Sequence, residues 1–185
     1  MTGMLKEIKK QKYGVPADVI SVFDDIYDKY SGGPGNILDE EFSRAMSERL
    51  TKELRFKIFE TQGGCNGTGA DKERKAFATE HAHLPLEERL AKFFETFGKR
   101  RLTLNGDGTM TLTFKCSHGY YKRAKEGKIA ALPPTVEGYF ERCAGGRLYE
   151  LQKALGIKLK IKSVDVSPLS EDVNNPVVFT FEIEE

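Results

Sequence analysis

The chain of 185 residues has only three cysteines, three histidines and no tryptophan. Three cysteines are too few, and odd in number, for the disulfide framework of a small secreted domain. No apolar run reaches the roughly 18 to 20 residues needed to cross a bilayer. Residues 1–12 are rich in lysine and lack the apolar stretch of a secretory signal. We therefore expect a cytoplasmic protein with no membrane partner.

An excess of charge of one sign is also missing. The 29 lysines and arginines nearly balance the 28 aspartates and glutamates, which leaves a formal net charge of +1. Such a chain has no overall positive field to attract nucleic acid, so we expect no nucleic-acid partner. The composition, 39% apolar and 31% charged, is that of an ordinary globular domain.

Helical periodicity dominates the first half of the chain. Residues 1–14 are polar and are predicted to be frayed, whereas apolar residues at helical spacing predict a helix from Asp18 to Tyr30. A longer helix is expected from Asn36 or Asp39 to Ile58, and two more are expected over residues 71–79 and from Pro85 to Phe97. We interpret residues 1–62 as a helical segment packed on an α+β ligand-binding core of residues 63–185, the two forming one continuous domain.

The pattern changes from helices to strands after Gly98. Alternating apolar residues predict four strands, at 102–104, 110–114, 157–161 and 177–183. Residues 105–108 have the composition of a tight hairpin turn, a helix is expected over 135–155, and the apolar phase shift from Ile161 to Val164 indicates a bulge. This order predicts an α+β fold in which helices pack on a four-stranded antiparallel sheet.

Cys65, Cys116, His118 and Cys143 are the residues most suited to chemistry, since each lies beside glycine or near the end of a predicted strand. Thiolate and imidazole both bind zinc, which takes four such ligands in structural sites. A Cys3His zinc site is therefore one interpretation. The spacing lacks close cysteine pairs, however, and cysteines are often buried as small apolar residues, so packing alone is the competing interpretation.

The same residues also allow a catalytic interpretation, in which His118 lowers the pKa of Cys116 or Cys143 to give a nucleophilic thiolate. That arrangement would make the protein a cysteine-dependent hydrolase or transferase acting on a small organic substrate.

Gly145 and Gly146 follow Cys143 inside a predicted helix, where each glycine costs about 1 kcal/mol relative to alanine. We therefore expect a close neighbour at that point.

Aromatic residues near the same loop and helix are candidates for a pocket wall, because their apolar faces carry polar tips. The candidate ligand-binding residues are Tyr120, Tyr121, Tyr139, Cys143 and Arg147.

Short motifs between residues 63 and 182 carry a resemblance to a known family. They are Gly63-Gly-Cys65, Phe114-Lys-Cys-Ser-His118, Glu141-Arg-Cys-Ala-Gly145 and Leu155-Gly-Ile-Lys-Leu-Lys-Ile161. Their order resembles that of the vinyl-4-reductase-like small-molecule-binding domain and its uncharacterised bacterial relatives. Two departures are His118, where a second cysteine is expected, and Asn174-Asn-Pro176, where a cysteine is expected before the last strand. The resemblance implies a pocket between sheet and helices for a small apolar or aromatic molecule, or a sensor of one.

The leading interpretation is thus a small-molecule binding or sensing module with a Cys/His-lined pocket. The alternatives are the cysteine-dependent enzyme and an assembly protein that uses the exposed face of its sheet, for example as a homodimer. Zinc is the candidate cofactor.

Overall fold

The computed structural model describes residues 2–33, 35–61, 70–98, 101–114, 136–166 and 177–184. These residues form seven α-helices, a short 3-10 helix (Gln11–Tyr13) and one four-stranded antiparallel sheet, which confirms the predicted α+β fold. The helices are α1 (Thr2–Ile8), α2 (Ala17–Tyr30), α3 (Gly35–Arg49), α4 (Lys52–Thr61), α5 (Asp71–Glu80), α6 (Leu86–Phe97) and α7 (Val136–Leu155). The strands are β1 (Arg101–Leu104), β2 (Thr109–Phe114), β3 (Lys158–Asp165) and β4 (Val177–Glu184).

The sheet has the strand order β1-β2-β4-β3, so β1 and β3 are its edges. Leu102 pairs with Leu112 across the first hairpin, as the alternation of apolar residues predicts. Gly108 closes the turn with a φ of 77°, a left-handed conformation that glycine adopts without steric cost. The register between β3 and β4 shifts between Ile161 and Ser163, which confirms the predicted bulge.

Helix α7 lies at the centre of the fold, in contact with α3, α4, α5 and α6 and with strands β3 and β4. Its buried apolar residues recur at helical spacing and meet the buried face of the sheet. The largest fully buried side chains at this contact are those of Phe140, Leu148, Leu151, Phe179 and Phe181. The hydrophobic core therefore surrounds α7, with the sheet and the other helices both contributing to it.

Two glycines of α7 allow the neighbouring helices to approach its backbone. A Cβ atom on Gly145 would lie 2.1 Å from the carbonyl oxygen of Phe59 in α4, and one on Gly138 would lie 2.8 Å from Ser47 Oγ in α3. The two positions are seven residues apart, so they share one face of the helix. The close neighbour predicted at Gly145 is thus confirmed, and it is the backbone of α4.

Two predictions about the N-terminal half are wrong. Residues 2–8 are not frayed but form α1, because Met4, Leu5 and Ile8 make an apolar stripe that is buried in the core. The long helix expected to reach Ile58 is divided into α3 and α4. Thr51 interrupts it, since its hydroxyl accepts a hydrogen bond from the Leu54 N–H at 3.3 Å and so caps the start of α4.

Candidate functional site

The structure describes the side chains of two of the residues that the sequence nominates. These are Cys143 and Arg147, both in α7. Tyr139 also lies in α7, but its side chain is not described. The remaining nominated residues are Cys65, Cys116, His118, Tyr120 and Tyr121, and they lie outside the described residues.

Cys143 is buried in the core, with 4% of its surface exposed. A thiol in that position is shielded from solvent and from substrate, which fits the packing interpretation for this cysteine. Within the described segments, no group of three or more His, Cys, Asp or Glu side chains could hold a metal ion. The zinc prediction rests mainly on residues outside those segments and stays a prediction.

Arg147 belongs to a charged network between α5 and α7. Its Nη1 donates to Glu150 Oε2 at 2.7 Å, and its guanidinium lies 5.5 Å from the ring centre of Phe114. Arg74 donates to the other oxygen of Glu150 at 3.3 Å and to Asp71 at 3.2 Å. Glu150 is buried, and these contacts neutralise the charge of its carboxylate. Arg147 therefore has a structural role in the fold.

A partly open groove of about 550 Å³ lies beside α4, where that helix runs next to strands β3 and β4. One wall comes from α4, and the other comes from the two strands. The lining residues are Lys52, Glu53, Phe56, Lys57, Glu60, Lys160, Ile161, Lys162 and Glu182. The sequence alone nominates none of them.

Glu60 joins the two walls of this groove. Its Oε1 accepts a hydrogen bond from the backbone N–H of Ile161 at 2.9 Å, and Gln152 Oε1 accepts one from the N–H of Leu159 at 2.8 Å. Strand β3 is an edge of the sheet, so these alternate N–H groups point away from β4 and would otherwise lack a strand partner. Burial raises the pKa of Glu60, against the opposing effects of the Ile161 N–H and Lys160.

Two of the three acidic residues of the groove, Glu53 and Glu60, have hydrogen-bond donors within the protein. Hydrogen bonds from its own backbone N–H and from Thr51 lower the pKa of Glu53 at the start of α4. Glu60 accepts the Ile161 N–H, and Glu182 stands opposite Lys160 in the register of β3 and β4. Burial nevertheless outweighs these contacts at Glu60, whose pKa stays above its ordinary value.

The lysines of the groove are less well satisfied. Lys160 forms an ion pair with Glu184. Among the described residues, Lys52, Lys57 and Lys162 have no carboxylate within the 4 Å of an ion pair, although Lys52 Nζ lies 5.7 Å from the ring centre of Phe56. Lys162 is the extra residue of the β3 bulge, a feature that commonly redirects a side chain at binding sites.

One signal of this groove is present in the sequence. The alternating lysines of β3 identify one solvent-exposed strand face, and Glu60 follows Phe56 by one helical turn in α4. Nothing local indicates that these two segments meet, because the contact joins residues 101 positions apart.

No helix in the described part of the chain is both long and apolar enough to cross a lipid bilayer. Comparison with protein-family models, with curated proteins and with solved structures gives no significant match for this chain.

Proposed function

We propose that the protein is a small-molecule binding or sensing module whose ligand lies in the groove between α4 and strand β3. The observation that carries this proposal is the groove itself, whose volume of about 550 Å³ is within the range of ligand pockets. The position, between a helix and an antiparallel sheet, is also the one that the sequence interpretation assigns to a ligand.

The lining of the groove combines two apolar residues with seven charged ones. Phe56 of α4 and Ile161 of β3 are mostly buried, with 8% and 6% of their surface exposed. A ligand with an apolar part would cover this remaining surface and the aliphatic stems of the neighbouring lysines. The polar groups around these two residues would then fix the orientation of the ligand.

The wall formed by α4 is held firmly against the core, which favours a preformed site. Arg55 donates to both carboxylate oxygens of Glu141 in α7, from Nε at 2.6 Å and from Nη2 at 2.8 Å. Its Nη1 donates to the carbonyl oxygen of Leu50 at 2.9 Å. This buried ion pair lies within two helical turns of Glu60 and, together with the contact at Gly145, fixes α4 on α7.

The proposal keeps the expected cytoplasmic location and the expectation of no nucleic-acid partner, and it rests on the groove residues and not on the predicted Cys/His set. The alternative of a cysteine-dependent enzyme gains no support from Cys143, whose thiol is buried. We therefore favour binding over catalysis for this protein.

A neutral aromatic probe can stand in for the natural ligand in a test of the proposal. N-Phenyl-1-naphthylamine fluoresces on entering an apolar site, so a saturable increase is expected on titration. Two-dimensional amide NMR spectra should then show shifts that cluster at Lys57, Glu60, Ile161 and Lys162. No saturable binding, or shifts that cluster instead around Cys143 and Arg147, would overturn the proposed location.

A further inference from the structure

We infer that the ligand of this groove is a small amphipathic organic acid, whose anionic group lies between Lys57 and Lys162 and whose apolar body lies on Phe56 and Ile161. This inference rests on the proposed function and names the chemical class of its ligand.

The first argument is the asymmetry between acids and bases in the groove. Glu53 and Glu60 accept hydrogen bonds within the protein. Lys57 and Lys162 line the same groove and, among the described residues, form no ion pair. A ligand anion would supply a direct partner for these two lysines.

The second argument is the placement of the two lysines. Lys57 projects from α4 and Lys162 from the bulge of β3, so they stand on different walls of one groove. An anionic group between them would be contacted from both walls. Phe56 lines the same wall as Lys57, and Ile161 lines the same wall as Lys162, so each wall has one positive and one apolar residue of this set. This arrangement matches a molecule with one charged end and an apolar body.

A pair of matched probes distinguishes the contribution of the ligand's charge to affinity from that of its apolar body. 8-Anilinonaphthalene-1-sulfonate has the ring system of N-phenyl-1-naphthylamine with one sulfonate added. Exposed ion pairs contribute little individually, so we expect the sulfonate to bind about three- to tenfold more tightly than the neutral probe at low salt. The difference should shrink as salt is added, because screening weakens interactions between exposed charges.

A double variant tests the two lysines directly. Lys57→Gln with Lys162→Gln should abolish the preference for the sulfonate, measured as the ratio of the two probes' affinities on the same variant. The control is Lys72→Gln with Lys75→Gln, which removes the same charge from exposed positions of α5 outside the groove. The control should keep the preference for the sulfonate.

The outcomes separate this inference from the proposed function. If neither probe binds in the groove, both are overturned. If the neutral probe binds there but the sulfonate binds no more tightly, or if the double variant keeps the preference, the inference is overturned and the proposed function stands. The salt dependence of the wild-type protein supports or overturns the inference even if the double variant does not fold.

Discussion

The carboxylate of Glu60 in α4 accepts a hydrogen bond from the backbone N–H of Ile161 in β3 at 2.9 Å. A side chain thereby covers the outer edge of the sheet at the point where a further strand could otherwise add. The same contact holds the two walls of the groove together. The stability of the edge and the shape of the candidate site therefore depend on one residue.

Removing the acceptor at Glu60 should weaken this edge. Glu60→Ala is expected to reduce the free energy of unfolding by about 1 kcal/mol, because the Ile161 N–H loses its protein partner. Glu60→Gln keeps an acceptor oxygen and should preserve the hydrogen bond from the Ile161 N–H at the edge of the sheet. Hydrogen exchange of the Ile161 amide measures the effect directly, and equal exchange rates in the two variants would contradict the account.

The raised pKa of Glu60 gives a dependence on pH of defined sign. Burial raises the folded-state pKa above the ordinary value of 4.5, so the folded protein binds this proton more tightly than the unfolded chain. The contribution of Glu60 to stability is then greatest below pH 4.5 and falls as the pH rises through the folded-state pKa. Glu60→Gln should consequently be at least as stable as the wild type at about pH 7, as measured by urea unfolding. A Gln variant that is clearly less stable at that pH would show that the ionised carboxylate stabilises the fold.

Glu7 should show the opposite dependence on pH. Burial alone would raise its pKa, but hydrogen bonds from Lys10, Tyr13 and Lys12 outweigh that effect and lower the pKa to about 2. The contribution of Glu7 is therefore complete above pH 4.5 and is lost as the pH falls from 4.5 towards 2.

Glu7→Gln should accordingly lower the free energy of unfolding by about 1–3 kcal/mol at pH 7, and the difference from the wild type should shrink as the pH falls to about 2. Glu48→Gln, at an exposed position of α3, is the control and should change little. Urea unfolding across this pH range gives the comparison. A constant difference at all pH values would rule out ionisation of Glu7 as the cause.

A methyl group at Gly145 should disrupt the contact between α7 and α4. The added Cβ would lie 2.1 Å from a backbone oxygen, which has no flexible side chain to move aside. Gly145→Ala is expected to cost about 1–3 kcal/mol or more by overpacking. Gly32→Ala provides the control, since a Cβ there meets nothing within 4 Å. An unchanged melting temperature for Gly145→Ala would show that the two helices separate easily.

The fold could be predicted where its signal is local. The alternation of apolar residues gives the β1–β2 hairpin and its register, and the glycine inside α7 indicates a close neighbour before that neighbour is known. The helix that contains the stripe of Met4, Leu5 and Ile8 could not be predicted in this way, because the lysines around the stripe make the segment polar on average.

The candidate site could not be predicted because it depends on contacts between distant parts of the chain. Arg55 and Glu141 are 86 positions apart, and Glu60 and Ile161 are 101 positions apart. The sequence around each of these residues is that of an ordinary charged segment or strand. Only the folded chain places α4 beside β3 and leaves a groove between them.

The most direct test of the proposed binding site is a measurement of NMR contacts between N-phenyl-1-naphthylamine and the isoleucine methyl groups. Ile161 lines the groove and keeps 6% of its surface exposed, whereas Ile8 and Ile58 are fully buried, so one methyl-labelled sample contains both the reporter and its controls. We predict nuclear Overhauser effects between the aromatic protons of the probe and the methyl groups of Ile161, with none to Ile8 or Ile58. Saturating probe that gives no contact with Ile161, or contacts only with isoleucines elsewhere, would contradict the proposed site.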